Sequence, residues 1–331
     1  MSSNHANISI FVPHIGCTNM CSFCDQRHIT GCVTAPTCDD IKNAVSKAKL
    51  SKNYDSKNTE IAFFGGSFTA INRNYMMSLL TTASQFVKSG DVCGIRISTR
   101  PDAIDEEILS ILKSYNVTSI ELGAQSMDDE VLFMNNRGHT ANDVINASNL
   151  IKKHGFSLGL QMMTGLYMDT DEKTIITAER IAELHPETVR IYPTIVLKGT
   201  TLAAFYADGY YKPQTVNEAV NICVKLLDIF KESNIKVIRL GLHSIDKRAY
   251  IAGPWHPAFS ELCYSKMFLD KAISILTEKG TYKLFVAPEN ISKMIGQKKK
   301  NINTLKSLGY ECIVCADKTL SSDDIIAERS E

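Results

Sequence analysis

The stretch GCTNMCSFCDQ, residues 16–26, places three of the chain's 10 cysteines close together. Cys17, Cys21 and Cys24 have the spacing C-x3-C-x2-C, whereas the other cysteines are scattered along the chain. Three thiolates at such a spacing can hold zinc, contribute to a disulfide or ligate an iron–sulfur cluster. The choice depends on the redox compartment and on whether a fourth ligand lies nearby.

The composition favours metal binding over disulfide formation. Residues 1–14 contain no basic segment followed by an apolar core, and nowhere do 18 or more apolar residues follow one another. We therefore expect a soluble, cytoplasmic protein without membrane contact, whose thiols stay reduced. With 36 basic and 36 acidic residues the chain is neutral, so any contact with nucleic acid requires a local basic patch.

Short β-branched runs alternate with longer segments of helical period, which predicts an α/β fold with a parallel sheet. The candidate strands are residues 8–12, 60–64, 95–99, 118–122, 157–163, 188–192 and 236–240. Helices are expected near residues 39–49, 74–88, 105–114, 141–154, 171–184 and 215–232. Six or seven βα units are too few for an eight-stranded barrel. We therefore predict a partial barrel of the (βα)6 type, with its chemistry at the carboxyl ends of the strands.

The second candidate strand runs into the motif FFGGSFTA, residues 63–70. Gly65 and Gly66 lack a Cβ and would allow a ligand to approach the backbone closely. A tight turn is the alternative explanation of the two glycines. Because the cysteine stretch follows the first strand, both motifs are expected on the same face of the sheet.

Together the two motifs resemble those of the radical S-adenosylmethionine (SAM) superfamily. The resemblance implies that Cys17, Cys21 and Cys24 bind three irons of a 4Fe–4S cluster, and that the fourth iron binds the amino and carboxylate groups of SAM. It also implies an electron donor, either a reductase or a flavodoxin or ferredoxin. Phe23, between two of the cysteines, is expected either near the adenine or in a packing role.

Further motifs resemble the radical SAM domain of the catalytic subunit of Elongator, which modifies the wobble uridine of tRNA. They are STRPDAID (98–105), IELGAQSMDDEVL (120–132), NRGHT (136–140), QMMTGL (161–166) and RIYPTIVLKGTTL (190–202). From this resemblance we predict that Gly65, Gly66, Gln125 and Arg137 bind SAM. The fork of Arg137 suits a carboxylate and Gln125 suits ribose hydroxyls, while a turn or surface contact is the alternative for each. No catalytic side chain is predicted.

The Elongator subunit continues into an acetyltransferase domain, whereas only residues 281–331 follow Gly280 here. That segment is too short for a domain of ordinary size. We therefore expect a stand-alone paralogue of the bacterial type without the acetyltransferase domain, and the group that it transfers stays open.

Residues 246–331 are predicted to form a small C-terminal α/β domain after a radical SAM domain of residues 1–245. Strands are expected at residues 281–287 and 310–316, on either side of two helices around a loop at 289–308. This order resembles a KH module, whose GXXG loop binds a nucleic-acid backbone, although Lys299 replaces the second glycine. Lysines 298–300 would provide the charge for phosphate binding, and a solvated lysine run on a capping domain is the alternative.

We therefore predict a radical SAM enzyme that acts on RNA, most plausibly on a tRNA base. One alternative keeps the radical chemistry but acts on a small molecule, as the oxygen-independent porphyrinogen oxidases do. The other is a non-catalytic RNA-binding protein whose cysteines hold zinc.

Overall fold

Seven parallel strands form the main sheet of the computed structural model, and their order in the sheet follows their order along the chain. They are β1 (Ala6–Val12), β2 (Thr59–Gly65), β3 (Gly94–Thr99), β4 (Val117–Gln125), β5 (Ser157–Thr164), β6 (Thr188–Pro193) and β8 (Lys236–Leu240). The structure describes residues 5–12, 16, 20–25, 34–242, 245–321 and 323–330. Within these ranges no pairing joins β1 to β8. The sheet is a half-barrel with two open edges, which confirms the predicted partial barrel and all seven predicted strands.

Helices connect the strands and cover the outer face of the sheet. They are α1 (Cys38–Lys49), α2 (Arg73–Lys88), α3 (Glu106–Ser114), α4 (Asp129–Met134), α5 (Ala141–Lys153), α6 (Asp171–Glu183), α7 (Thr201–Ala207) and α8 (Val216–Glu232). Thr37, Thr140 and Thr215 begin α1, α5 and α8 with capping boxes, in which an acidic side chain three residues later bonds back to the threonine amide. All six predicted helices are present, and the short helices α4 and α7 are additional.

The two faces of the sheet differ because side chains alternate along each strand. In β2, Ile61 and Phe63 are fully buried in the apolar core beneath the helices. Glu60 and Phe64 lie on the opposite, concave face, where the guanidinium of Arg190 stacks 5.3 Å from the centre of the Phe64 ring. The concave face is therefore the polar interior of the half-barrel.

The rest of the chain adds a two-stranded sheet and a three-stranded sheet. Its elements are β7 (Val196–Leu197) paired with β9 (Tyr250–Ala252), the long helix α9 (Phe259–Ile275), β10 (Gly280–Val286), α10 (Ile291–Ile295), α11 (Lys300–Ser307), β11 (Tyr310–Ala316) and β12 (Ile325–Ser330). Strand β10 is central, parallel to β11 and antiparallel to β12. The predicted strand–helix–helix–strand order is present, and β12 is additional.

The C-terminal elements share their apolar core with the barrel. Phe230 of α8, Phe268 of α9 and Leu284 of β10 are buried in one continuous cluster. The predicted boundary at residue 245 falls between β8 and β9. The three-stranded sheet of β10, β11 and β12 packs against the barrel through α9 and α8. In the part of the chain that is described, no helix has the length and apolarity needed to span a bilayer.

Candidate cluster and cofactor site

The cysteine stretch lies beyond the carboxyl end of β1, as predicted. Cys21 and Cys24 are half-buried thiols, neither in a disulfide. The amide of Cys24 donates to the carbonyl of Cys21 at 3.2 Å, so a tight turn brings the two residues together. The third predicted ligand, Cys17, lies outside the described residues.

The loop that follows α4 holds the cysteine stretch in place. Asn135 is fully buried, and its side-chain oxygen accepts from the Ser22 hydroxyl at 2.7 Å. The Ser22 amide donates to the Asn135 carbonyl at 3.1 Å. The next residue, Asn136, donates from its side chain to the Met20 carbonyl at 2.9 Å. We call residues 135–137 the clamp, because all three contact the cysteine stretch.

Arg137 completes the clamp and links it to β4. One terminal nitrogen donates to the Sγ of Cys21 at 3.1 Å and the other donates to the Gly123 carbonyl at 2.7 Å. The Nε is buried and has no hydrogen-bond partner. The two terminal nitrogens of Arg137, which were expected to bind the SAM carboxylate, are thus bonded to other protein groups. Only the Nε has no partner.

Gln125 and Arg137, predicted separately, meet above Gly123. A Cβ at Gly123 would lie 2.9 Å from the Gln125 side-chain nitrogen and 3.4 Å from a terminal nitrogen of Arg137. Gln125 ends β4 with a φ of 64°, a left-handed conformation that few residues with side chains adopt. Gly123 is a residue that the sequence reasoning missed, although it lies in the quoted motif two residues before Gln125.

The glycines of the second motif lie at the carboxyl end of β2. Gly65 has a φ of 106°, a conformation that favours glycine, and the Gly66 amide donates to the Val12 carbonyl at 2.6 Å. Gly16 packs on the same turn, since a Cβ there would lie 2.5 Å from the Ser67 carbonyl oxygen. The two glycine-containing turns are thus in direct contact, and the predicted common face of the two motifs is confirmed.

Phe23 has a packing role in this structure. Its ring packs against the cluster formed by Val196, Leu202 and Tyr211. The Leu202 amide also donates to the Ser22 carbonyl at 2.7 Å. The start of α7 therefore supports the cysteine stretch from the side opposite the clamp.

A buried ionic network forms the floor of the half-barrel. Glu121 accepts from Arg190 at 2.8 and 2.9 Å, from Arg96 at 3.1 Å and from Gln161 at 3.0 Å. Burial alone would lower the pKa of Arg190, but the charge and hydrogen bonds of Glu121 raise it above the ordinary value. Sequence reasoning missed this network because it is formed by residues of separate strands.

Glu60 extends the network toward the amino ends of the strands. It accepts from Arg96 at 2.9 Å and from Thr118 at 2.9 Å. Burial acts to raise the pKa of Glu60, but a hydrogen bond from His5 and the Arg96 charge lower it to about 2. Glu60 is therefore ionised, and both carboxylates of the floor are paired with arginines.

His139, in the predicted NRGHT motif, is a buried neutral histidine. Its Nε2 lies 3.2 Å from the Ala124 carbonyl, and its Nδ1 is buried without a partner. Burial, and then the positive charge of Arg137, lower the pKa of His139 to about 4. The ring therefore supports the end of β4 without adding a charge beside Arg137.

A second candidate site lies in the C-terminal part, at the loop of residues 296–300, which we call the lysine loop. Lys298, Lys299 and Lys300 are exposed, and among the described residues no carboxylate pairs with them. Lys298 and Lys299 have φ values of 53° and 62°, in the left-handed region. Gly296 is needed because a Cβ there would lie 2.9 Å from the amide nitrogen of Asn301. Two strained, unpaired lysines are typical of a binding loop.

The residues present fit the cofactors that the motifs imply. Two thiols are held on a tight turn, one of them beside the guanidinium of Arg137, whose Nε has no partner and which borders the space above Gly123. Sulfur ligands suit an iron–sulfur cluster, and exposed backbone with an amide and a guanidinium suits an amino-acid cofactor.

Family comparison agrees with this geometry. The model of the radical SAM superfamily matches residues 11–181, more than half of the chain, and that of the Radical_SAM C-terminal domain matches residues 186–268. Among curated proteins, an uncharacterized protein of Methanocaldococcus jannaschii is 26% identical over 276 residues, which are 82% of this chain and 80% of that protein.

Two named relatives match over shorter segments. The tRNA uridine(34) acetyltransferase of M. jannaschii is 34% identical over 129 residues, 38% of this chain and 24% of that protein. Human Elongator complex protein 3 is 32% identical over 139 residues, 40% of this chain and 25% of that protein. The match thus spans about a quarter of the length of these two relatives.

Solved structures show the same fold. Elp3 of the archaeon Methanocaldococcus infernus, with an N-terminal deletion, superposes with a TM-score of 0.67 at 20% identity, covering 82% of this chain and 63% of that one. Streptococcus suis SuiB bound to S-adenosylmethionine gives a TM-score of 0.52 at 16% identity, covering 73% and 52%. The motifs of the present chain, its half-barrel and the family model that matches it agree: the chain belongs to the radical SAM superfamily.

Proposed function

We propose that this radical SAM enzyme modifies a base of tRNA in the cytoplasm. The observation that carries the RNA substrate is the lysine loop, because three exposed lysines there have no carboxylate partner among the described residues. Such a loop supplies phosphate contacts on a chain that is otherwise neutral. The names of the acetyltransferase and Elongator relatives support the same substrate class. As a radical SAM enzyme, the chain is not the non-catalytic zinc protein of the second alternative.

In this proposal Cys17, Cys21 and Cys24 hold three irons of a 4Fe–4S cluster. When bound, the cluster supplies the electron that cleaves a carbon–sulfur bond of SAM. Arg137 donates to the Cys21 sulfur and to the Gly123 carbonyl, and so ties the cysteine stretch to β4. A reductase or a flavodoxin or ferredoxin is the proposed electron donor.

Gly65, Gly66, Gln125 and Arg137 are proposed to hold SAM. The turn at Gly65 exposes backbone at the end of β2, and Gln125 offers its side-chain amide above Gly123. Arg137 would contribute through its charge and its orphaned Nε, since its two terminal nitrogens are already bonded. Residues 1–245 and 246–331 would then divide the work between radical chemistry and RNA binding.

Nucleoside analysis tests the substrate. The nucleosides of tRNA from cells with and without the gene are compared by mass spectrometry, and we expect one modified nucleoside to be missing without it. The unmodified gene should restore that nucleoside, and a Cys21→Ala gene should not. Identical nucleoside profiles in the two strains would contradict a tRNA substrate.

Cofactor cleavage tests the cysteine ligands. Protein reconstituted under anaerobic conditions with iron, sulfide and a strong reductant should convert SAM to 5'-deoxyadenosine and methionine. Replacing Cys21 or Cys24 with Ala should abolish the cleavage and most of the bound iron. Cys93→Ala is the matched control, because Cys93 is an exposed cysteine just before β3, at the amino end of the strands. Full iron content and activity in the Cys21→Ala protein would show the ligand assignment to be wrong.

A further inference from the structure

The concave face of the half-barrel carries more positive than negative charge. Glu60, Glu121, Arg96 and Arg190 form the ionic network of this face, and Arg239 lies beside Arg190. Two are carboxylates and three are guanidiniums. Glu121 already accepts four hydrogen bonds, which fill its acceptor sites, and Glu60 is bonded to Arg96. One guanidinium is therefore left without a negative partner.

That guanidinium belongs to Arg239, near the carboxyl end of β8. Its Cα pairs with that of Arg190 on β6, so the two arginines lie side by side at the open edge of the sheet. The Nε of Arg239 donates to the Gly241 carbonyl at 2.9 Å, which fixes the direction of the side chain. The two terminal nitrogens make no hydrogen bond within the described residues, and they carry most of the donors of the group.

The surroundings of Arg239 favour the binding of an anion to its guanidinium. The side chain is half-buried, and its near neighbours are a tyrosine, Tyr192, and a second cation, Arg190. Burial, together with the charge of Arg190, lowers the pKa of Arg239, against the opposing effect of Tyr192. A partly buried charge beside a like charge is unfavourable unless an anion joins it.

The position of Arg239 relative to the cofactor site points to the substrate. Gly123, Gln161, Arg190 and Arg239 occupy one row across β4, β5, β6 and β8. Three strand spacings separate the two ends of this row, which is roughly 14 Å. An anion at Arg239 would thus lie across the barrel from the residues proposed to hold SAM.

We propose that Arg239 binds an oxyanion of the substrate, a phosphate or a carboxylate, inside the half-barrel. Arg190 supports the site by its charge, and Tyr192 borders it. The inference rests on the proposed function in that the barrel receives a substrate, but it does not require that substrate to be RNA. For a tRNA substrate the anion is a phosphate beside the target base, which would anchor that nucleotide while its base faces SAM.

Anion binding by the reconstituted protein tests the proposal without any RNA. Inorganic phosphate and acetate are titrated separately by calorimetry at constant ionic strength, with and without SAM. We expect saturable binding of at least one of them, weakened about tenfold or more in Arg239→Gln, because a charge-assisted hydrogen bond is lost. Arg239→Lys should lie between the two. Arg248→Gln is the matched control, since Arg248 is 91% exposed and bonds to Asp246.

Each outcome decides a separate point. Tighter binding of phosphate than of acetate assigns a phosphate subsite, and the reverse order assigns a carboxylate subsite. Equal affinity of the Arg239→Gln and unmodified proteins, or no saturable binding by the latter, overturns the proposal. Anion binding that SAM abolishes would assign Arg239 to the cofactor carboxylate and would overturn it as well. Failure of the nucleoside test with intact anion binding would remove tRNA as the substrate and leave this site standing.

Discussion

Gly123 has no side chain, and two functional side chains use the space that this leaves. The Gln125 amide and the Arg137 guanidinium both lie within contact distance of the missing Cβ. The atom nearest that Cβ is the side-chain nitrogen of Gln125, at the end of a flexible side chain that can move at little cost in stability. A methyl group at residue 123 should therefore disturb the site more than the fold.

The first prediction concerns Gly123→Ala. The added methyl group should displace the Gln125 side chain and weaken SAM binding about tenfold, the equivalent of one or two hydrogen bonds. Calorimetric titration of SAM into the reconstituted protein measures the effect, with iron content and thermal stability as controls. Adding Gln125→Ala to Gly123→Ala should cause no further loss, because the two changes act on the same contact. Unchanged SAM affinity would reduce Gln125 to a residue of the turn.

His139 gives the stability of the protein a dependence on pH. The charged groups that face its ring are Arg137, Arg100 and Asp102, and Asp143 interacts with it from α5. Burial and the charge of Arg137 lower the pKa of His139 to about 4, from an ordinary value of 6.5. The unfolded chain therefore binds a proton as the pH falls through 6.5, whereas the folded chain binds it only near 4.

The second prediction follows from this sign. The stabilisation is complete above the unfolded pKa and is lost as the pH falls toward the folded pKa, so unfolding at pH 5 should cost about 2 kcal/mol less than at pH 7 through His139 alone. Urea unfolding of the unmodified and His139→Gln proteins at both pH values isolates this contribution, because the other titrating groups are common to both. The same pH dependence in the two proteins would contradict the buried neutral ring.

At the scale of the element, the clamp and the cysteine stretch form one unit although more than 100 residues separate them. Asn135 is central, since its side chain also donates to the carbonyls of Val131 and Tyr167 at 2.8 and 2.9 Å. It thereby ties the end of α4 to the loop after β5 and to Ser22. The cysteine stretch, the end of α4 and the loop after β5 are thus bonded together through Asn135.

The third prediction concerns Asn135→Asp. The change keeps the shape of the side chain but removes its donor and brings a carboxylate toward two carbonyl oxygens, which is repulsive. We expect much less iron per chain after reconstitution, with the circular dichroism of the fold retained. Asn149→Asp on the exposed face of α5 adds the same charge elsewhere and should keep its iron. Full iron loading of Asn135→Asp would show that the clamp does not support the cluster.

The elements of the barrel could be predicted because each carries its own periodic signal. In β1 the buried Ile8 and Ile10 alternate with the exposed Asn7 and Ser9, and Thr140 with Asp143 marks the start of α5. The additional helices α4 and α7 are only six and seven residues long, which is too short for a clear period. Strand β12 forms only by pairing with β10, so its structure depends on a distant partner.

The site was predicted only as far as its motifs reach. Arg137 and Gln125 could be proposed because they lie in recognisable motifs, but the bond from Arg137 to Cys21 joins residues far apart in sequence. The same holds for Glu121, whose partners come from three different strands. Contacts of this kind depend on the register between strands, which no local pattern contains. Cys17 remains a prediction, since it lies outside the described residues.

At the scale of the whole molecule, the lysine loop and the half-barrel belong to one packed body. Asn301, directly after the loop, donates to the carbonyl and hydroxyl of Ser265 on α9 at 2.7 and 3.1 Å. Helix α9 in turn shares the apolar core with α8. The residue that follows the loop is therefore anchored to the barrel through α9 and α8.

The fourth prediction concerns the charges of this loop. RNA affinity should fall steeply with salt, and replacing Lys298, Lys299 and Lys300 together by Gln should reduce the slope of log affinity against log salt by roughly two to three. Binding to tRNA over a salt series measures the slope. The matched control replaces three exposed lysines, Lys47, Lys52 and Lys57, by Gln, and should leave the slope nearly unchanged. Equal slopes for the loop variant and the unmodified protein would show that the lysines are only a solvated surface run.

The connection of the lysine loop through Asn301, α9 and α8 has a consequence for the choice of nucleotide. An RNA backbone bound at the loop would stay at a fixed distance from the barrel. The protein would then select its target nucleotide by that distance. The number of nucleotides between the gripped phosphate and the barrel mouth would then decide which base is modified. Shortening or lengthening the RNA between these two points should move the modification to a neighbouring position or abolish it, even where the target base itself is unchanged.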